Sequence, residues 1–223
     1  MDWEALRLSL QIGISSTLLS IVVGIPTAYF LATHKFKGYR LLNALVLTPM
    51  LLPPTVLGYY LLQFFGASGF AGKILESLFN FSPVFHWTGA TIAAFVVSAP
   101  FLIRSAQAGF ESLDISLQDA AKAHGVDPLS VFLKITIPLA APSIAAGIAM
   151  TLARSIGEFG ATIMIAGNIP GKTRTMPIAI YDAVQSGRIN DAQVSALALS
   201  FLSIGLLMLA STLITKKKLI CNK

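Results

Sequence analysis

Long stretches with few or no charged side chains constrain this chain more than any other feature. An α-helix needs about 20 mostly apolar residues to cross the hydrocarbon core of a bilayer. The sequence therefore predicts about five spanning helices, at residues 8–33, 43–65, 84–106, 136–158 and 193–215. The first is expected to stay in the membrane as a helix, because Asp2 and Glu4 precede it where a cleaved leader carries basic residues.

Composition supports a membrane location and an all-α fold. Charged residues make up 12% of the chain and hydrophobic residues 55%, whereas soluble domains carry about 25% charged residues. No strand-like alternation is present, so a polytopic helical bundle is the way to satisfy the backbone in lipid. The net charge of +6 does not indicate nucleic acid, because the basic residues lie between hydrophobic stretches. The single cysteine, Cys221, excludes an internal disulfide. We predict no catalytic residue, no metal and no cofactor.

The distribution of Lys and Arg predicts the orientation. With an odd number of spans and the N-terminus outside, 10 basic residues fall on the inner side, 5 on the outer side and Arg154 within a span. Because cytoplasmic loops carry the excess of basic residues, the chain is expected to be N-out and C-in in the inner (cytoplasmic) membrane. This orientation places residues 111–135 in the cytoplasm.

Residues 111–135 interrupt the hydrophobic pattern with a short, moderately polar loop. Apolar residues recur at every fourth position up to Ala121, which favours a short amphipathic helix. Gly125 is suited to end it, because glycine accepts left-handed backbone, and Asp127 is then the N-cap of the next helix. The periodicity alone fits two interpretations: a helix lying on the bilayer surface, or a docking element for another protein.

Residues 159–191 are too polar and too rich in Gly and Pro for a full span. We expect a broken or re-entrant element, because irregular backbone at membrane depth is tolerated where it lines a cavity or is buried in protein. Residues 166–173, AGNIPGKT, fit a loose phosphate-binding-loop pattern. However, the strand and the helix that should flank such a loop are missing, and Pro170 removes an amide donor. A nucleotide site is therefore rejected.

The stretch from Asp119 to Pro138 resembles the EAA loop of ABC importer permeases. That motif runs Glu-Ala-Ala, three residues, Gly, nine residues, then Ile-x-Leu-Pro. The matching residues are Asp119, Ala120, Ala121, Gly125, Ile135 and Pro138. Asp119 stands in place of the glutamate, and Ile137 in place of the leucine.

Further stretches are similar to the molybdate, tungstate and sulfate branch of that family, and most of all to its molybdate members. They are LPPTVLGYYLL at 52–62, RSIGEFGAT at 154–162, AGNIPGKT at 166–173 and MPIAIY at 176–181. The resemblance runs over essentially the whole chain. It implies a type I ABC importer permease: a homodimer in membrane lipid around a central pathway, with a cytoplasmic ABC ATPase dimer on the coupling loops. An extracytoplasmic oxyanion-binding protein delivers the anion, and ATP is hydrolysed in the separate ATPase subunit.

Two charged residues of the fourth span are pathway or gate candidates under this resemblance. Arg154 and Glu158 are four residues apart and share a helix face. Charges within a span are costly and usually face a cavity or each other. The pair is therefore either a waypoint for an anion or an intrahelical ion pair that supports the bend after it. Thr162 and Asn168 are further candidates, as hydrogen-bond donors to the anion or as caps of turns.

Three basic residues on the predicted outer side run against the positive-inside trend: Lys172, Arg174 and Arg188. They are candidates for electrostatic contact with the binding protein or the anion, and a solvated face is the simpler alternative for each.

Other functions fit less well. A sulfate or thiosulfate permease is the near alternative, because sulfate and molybdate share charge and shape class. A stand-alone secondary transporter is disfavoured by the lack of an internal repeat and by the small number of spans. An intramembrane enzyme is disfavoured because His34, His86 and His124 are scattered and no cysteine lies in a span.

Overall fold

The computed structural model describes residues 2–114 and 125–221, with side chains described as far as Met208. Every regular element in these ranges is a helix, which confirms the expected all-α architecture. The helices, in chain order, are α1 Trp3–Thr33, α2 Tyr39–Leu51, α3 Pro54–Phe65, α4 Phe70–Phe79, α5 Trp87–Glu111, α6 Pro128–Ile156, α7 Gly160–Ala166, α8 Met176–Gln185 and α9 Ile189–Cys221.

Four of these helices, α1, α5, α6 and the described part of α9, are long and apolar enough to cross a membrane. Helices α2 and α3 are each too short to cross a membrane, so they supply a fifth span only if they are counted together. The chain bends by 112° between them. The continuous stretch expected at 43–65 is thus broken at Leu52 and Pro53. A proline disfavours helical backbone at the residue before it, and Pro54 suits the first turn of a new helix.

Helix α5 is the centre of the bundle and packs against α1 and α6. In the most apolar stretch of α5, 67% of the residues are buried, whereas 11% are buried in the most apolar stretch of α9. Small residues let the helices approach closely: a Cβ added to Gly109 would lie 2.6 Å from the Cβ of Ser143 on α6. The hydroxyl of Ser155 on α6 also donates to the hydroxyl of Ser98 on α5, at 2.8 Å. Such polar contacts fix two helices side by side where burial of apolar surface cannot.

Residues 159–191 form two short helices, α7 and α8, joined by a turn. Both ends of that turn are fastened to the long helices. At one end the amide of Phe85, just before α5, donates to the carbonyl oxygen of Ile165 at 3.1 Å. At the other end the amide of Met176 donates to Ser9 Oγ on α1 at 2.7 Å. The turn is therefore held over the N-terminal ends of α1 and α5.

Candidate pathway and coupling sites

Arg154 and Glu158 form an ion pair at the end of α6, with Arg154 Nη1 2.6 Å from Glu158 Oε2. The Glu158 side chain is 2% exposed and that of Arg154 is 30% exposed. The other oxygen, Glu158 Oε1, accepts a hydrogen bond from the amide of Ala161 at 2.8 Å. Glu158 therefore caps the first turn of α7 while it pairs with α6, and the pair holds the junction between these two helices. Of the two alternatives given by the sequence, this geometry corresponds to the intrahelical ion pair that supports the bend after α6.

The structure does not bring all four pathway candidates into one cluster. Thr162 lies in α7, is buried, and has no hydrogen-bond partner for Oγ1 among the described residues. Asn168 lies in the following turn, where its side chain accepts from Arg174 Nε at 2.7 Å and donates to Asp182 Oδ1 at 3.2 Å. Asn168 thus belongs to a different polar network from the ion pair.

Asp182 on α8 is the centre of that second network. Arg188 Nη2 lies 2.8 Å from Asp182 Oδ2, and Arg174 Nη1 lies 3.6 Å from the same oxygen. Arg188 also approaches Asp191 at 3.9 Å. Two of the three basic residues considered as outer contacts are therefore paired within the chain. The role of Asp182 was not predicted from the sequence. The turn between α7 and α8 brings it to Arg174, and no local spacing indicates this contact.

Lys172 differs from its two basic neighbours. Its side chain is exposed and, in the part of the chain that the structure describes, makes no ion pair or hydrogen bond. Lys172 instead lines a pocket between α1 and the start of α5. Thr173, next to it, is fully buried and stabilises the turn by accepting from the amide of Ile169 at 3.1 Å.

The coupling loop is described only in part. Asp119, Ala120 and Ala121 lie outside the described residues. Gly125 has a φ of +76°, as expected of a residue that ends a helix in left-handed backbone, and a Cβ there would meet nothing within 4 Å. Asp127 is the N-cap of α6, and its carboxylate accepts from the amide of Ser130 at 3.0 Å. Hydrogen bonds from Ser130 hold the pKa of Asp127 below its ordinary value.

Ile135 and Pro138 lie at an irregularity near the start of α6. Residues Phe132–Thr136 form a π-helical turn, in which the amide of Ile137 donates five residues back, to Phe132. Pro138 has no amide hydrogen and its ring crowds the carbonyl four residues earlier. A wider turn just before it accommodates both effects. This π-helical turn was not predicted from the sequence, although Pro138 explains it locally.

A polar cluster ties the loop between α1 and α2 to the end of α5, where the coupling loop begins. Lys35 Nζ lies 3.6 Å from Glu111 Oε1 and 4.1 Å from the centre of the Tyr39 ring. The buried amide of Gln107 donates to both Tyr39 OH and Glu111 Oε1, each at 3.0 Å. The hydrogen bond with Tyr39 and the charge of Glu111 raise the pKa of Lys35. This cluster also escaped sequence reasoning, because Gln107 and Tyr39 are far apart in the chain.

The helical architecture matches solved structures of ABC importers. The permease chain of the MetNI methionine ABC transporter, in inward-facing conformations, superposes with a TM-score of 0.72 over 96% of this chain and 94% of that chain, at 17% identity. Across the described residues, no group of three His, Cys, Asp or Glu side chains is placed to hold a metal. The fold is that of a type I ABC importer permease, a multi-pass membrane protein.

Residues 20–219 match the family model described as binding-protein-dependent transport system inner membrane component. The chain belongs to this family. It is 41% identical to the molybdenum transport system permease protein ModB of Haemophilus influenzae, over 83% of this chain and 81% of the relative. It is 39% identical to ModB of Escherichia coli K12, over 93% and 91%. A sulfate transport system permease protein, CysW of Synechococcus elongatus, is 31% identical over 94% and 73%.

Family and fold together imply that the chain acts in a complex with a binding protein and an ATPase. The resemblance to the molybdate branch of the ABC importers is confirmed by these relatives.

Proposed function

We propose that this chain is the permease subunit of an ABC importer for molybdate or tungstate in the inner membrane. The observation that carries the proposal is 39% identity to a molybdenum permease over 93% of the chain, which includes both the pathway and the coupling regions. The proposed assembly is a homodimer in membrane lipid with a cytoplasmic ATPase dimer and an extracytoplasmic oxyanion-binding protein. ATP is hydrolysed in the ATPase subunit, not in this chain.

The proposed coupling route follows one continuous stretch of the chain. The ATPase docks on Asp119, Ala120 and Ala121, and Gly125 sets the turn that leads to the capped start of α6. Helix α6 runs past Ile135 and Pro138 to the ion pair at its far end, which holds α7. A shift of the docking loop would thus move the α6–α7 junction through a single helix rather than through several separate contacts.

We place the translocation pathway at the α6–α7 junction. Arg154 is partly exposed there, and Thr162 offers a buried hydroxyl without a partner among the described residues. Glu158 is proposed to hold Arg154 in place, and Asn168 to support the turn that follows α7. Arg188 and Arg174 are proposed to shape the outer surface through Asp182, so that Lys172 is the basic side chain left for an anion or a binding protein.

Substitution of Ala121 by Asp is expected to abolish binding of the ATPase. A small residue lets a partner approach the backbone closely, whereas Asp adds both volume and an uncompensated charge at the contact. The measurement is co-purification of a co-expressed candidate partner ATPase with the affinity-tagged permease in detergent. Wild type should retain the ATPase in stoichiometric amount and the variant should lose it. If wild type also fails to bind an ATPase, the chain is not an ABC permease in function.

Substitution of Gly125 by Val is expected to uncouple transport while the permease stays in the membrane. Left-handed backbone costs a residue with a Cβ about 1–2 kcal/mol. This cost lowers the ratio of the native turn to other conformations by roughly 5- to 30-fold, and ATP-driven uptake of molybdate in proteoliposomes should fall with it. Gly187 provides a matched control, because its φ is +73° and a Cβ there also meets nothing within 4 Å. Loss of the protein from the membrane, or an equal loss of uptake in Gly187→Val, would contradict a specific coupling role.

Sulfate or thiosulfate is the second candidate cargo, favoured by the 31% identity to a sulfate permease. The two proposals differ in what the binding protein delivers. Uptake of molybdate into proteoliposomes, measured with the neighbouring binding protein in the presence of excess sulfate, separates them: a molybdate importer keeps its rate, and a sulfate importer does not.

A further inference from the structure

A pocket among the described residues lies away from the proposed pathway. It has a volume of about 580 Å³ and opens between the N-terminal part of α1, the start of α5 and the turn that follows α7. We call it the α1–α5 pocket. Its polar lining residues are Glu4, Arg7, Gln11, His86, Trp87 and Lys172. Glu4, Arg7 and Lys172 lie on the predicted outer side of the membrane, and Gln11, His86 and Trp87 lie at the outer ends of the first and third predicted spans.

Two cations of this pocket have no partner of opposite charge in the described ranges. Arg7 and Lys172 make no ion pair there, whereas Arg174 and Arg188, on the same side of the molecule, both pair with Asp182. Two basic side chains that share a pocket repel one another, and an anion between them removes that repulsion. The difference in pairing therefore separates Lys172 and Arg7 from the basic residues that only stabilise the fold.

Neutral donors also line the pocket. The amide of Gln11 and the indole N–H of Trp87 can each donate a hydrogen bond to an oxygen. His86 Nδ1 contacts Thr88, at 2.9 Å from its hydroxyl and 3.4 Å from its amide, so Nε2 is the ring nitrogen without a partner among the described residues. A tetrahedral oxyanion presents acceptor oxygens in all directions, so a pocket with several donors and two cations suits its chemistry.

The carboxylate of Glu4 would repel an anion in this pocket. A variant of Glu4 should therefore change the anion affinity in the opposite direction from variants of Arg7 and Lys172. The Oε2 atom of Glu4 would lie 3.2 Å from a Cβ on Gly171, so the carboxylate reaches over the turn that carries Lys172. Gly171 has a φ of +72° and supports that close approach. With one carboxylate and two cations, the pocket remains net positive by one charge with His86 neutral. Neutralising Glu4 should therefore strengthen anion binding, while neutralising either cation should weaken it.

We propose that the α1–α5 pocket is an outer binding site for a tetrahedral oxyanion such as molybdate or tungstate. The inference rests on the proposed function for the nature of the cargo and for the side of the membrane. The site receives the oxyanion after the binding protein releases it and before the anion enters the pathway between the helices.

Binding of tungstate to the purified permease–ATPase complex tests this proposal without the binding protein. The complex is placed in nanodiscs of phosphatidylcholine and titrated with tungstate by isothermal calorimetry. Arg7→Gln and Lys172→Gln should each weaken binding by about tenfold, the loss expected for one charge-assisted hydrogen bond. Glu4→Gln should tighten it. Lys73→Gln removes one exposed positive charge from the predicted outer side but outside the pocket, so it should change the affinity less than twofold.

Several outcomes would overturn the proposal. They are the absence of tungstate binding by wild type, equal affinity in all the variants, and weakening by Lys73→Gln as large as that by Lys172→Gln. A lipid phosphate shares the chemistry of a free oxyanion, so the titration is repeated in nanodiscs that contain phosphatidylglycerol. If this lipid prevents tungstate binding in wild type, the pocket is a lipid site and the proposal fails.

The same preparation separates this inference from the proposed function. ATP-driven uptake of molybdate is measured with the binding protein in parallel. Uptake without tungstate binding at the pocket overturns the outer site alone, whereas tungstate binding without ATP-driven uptake overturns the importer function alone. Thermal unfolding of each variant in detergent shows whether the fold is kept.

Discussion

Replacement of Gly58 by Val is expected to lower the stability of the folded permease strongly. Gly58 lies on α3 where that helix meets α7, and a Cβ there would lie 2.7 Å from Met164 Cβ, 2.8 Å from Ala161 Cα and 2.9 Å from Ala161 O. Two of these three atoms belong to the backbone of α7 and cannot move by a change of rotamer. Overpacking of a core typically costs about 1–3 kcal/mol, and a contact with fixed backbone on both sides belongs at the upper end.

Gly205→Val is the matched control for this substitution. Gly205 is also within a helix, α9, but a Cβ there meets nothing within 4 Å. Both changes replace glycine by the same β-branched residue in a helix, so they share the change in helix propensity. The measurement is thermal unfolding of the detergent-solubilised protein together with the monodisperse yield on size exclusion. Equal behaviour of the two variants would show that α3 and α7 do not pack as closely as described.

Gly58 shows what a motif can and cannot predict. The stretch at 52–62 identified the branch of the family from the sequence, yet nothing in it says which helix the glycine must touch. That information lies about 100 residues further along the chain, in α7. The same stretch contains Pro53 and Pro54. They disfavour continuous helix locally, but they do not determine the angle of 112° between α2 and α3.

Local sequence patterns predicted the structural features that depend on residues close together in the chain. Arg154 and Glu158 pair because residues four apart lie about one helical turn from each other. Gly125 adopts left-handed backbone and Asp127 is the N-cap of α6, as their conformational preferences predict. The uncharged stretches likewise predicted helices long and apolar enough to cross a membrane at α1, α5, α6 and α9, but not the break within 43–65. Each of these features follows from a period or a conformational preference that a single segment carries.

Contacts between distant segments were beyond such reasoning. Asp182 pairs with Arg174 because the turn after α7 folds back over α8, and with Arg188 because the chain turns after the end of α8. Gln107 reaches Tyr39 because α2 packs against α5. The basic residues on the outer side looked alike in the sequence. The structure divides them into Arg174 and Arg188, which pair with Asp182, and Lys172 and Arg7, which make no ion pair among the described residues.

The ion pair at the α6–α7 junction leads to the second large expected effect. Replacement of Glu158 by Ala removes both the partner of Arg154 and the acceptor for the amide of Ala161. Removal of one partner of a buried pair costs about 3–5 kcal/mol. Arg154 keeps 30% exposure, so solvent compensates part of its charge and the lower end of that range is expected here. Thermal unfolding in detergent should show a large loss of stability.

Paired substitutions decide whether Arg154 supports the junction or also contacts the anion. Glu158→Gln keeps an acceptor for Ala161 but leaves Arg154 unpaired, and Arg154→Met leaves a buried carboxylate, so each alone should be less stable than wild type. The double variant removes both charges, and such replacements are often neutral. We expect stability and ATP-driven molybdate uptake to recover together in it, because the pair mainly holds α7 on α6. A double variant that is stable yet inactive would instead make Arg154 a contact for the translocated anion, since only the guanidinium would then be missing from an intact junction.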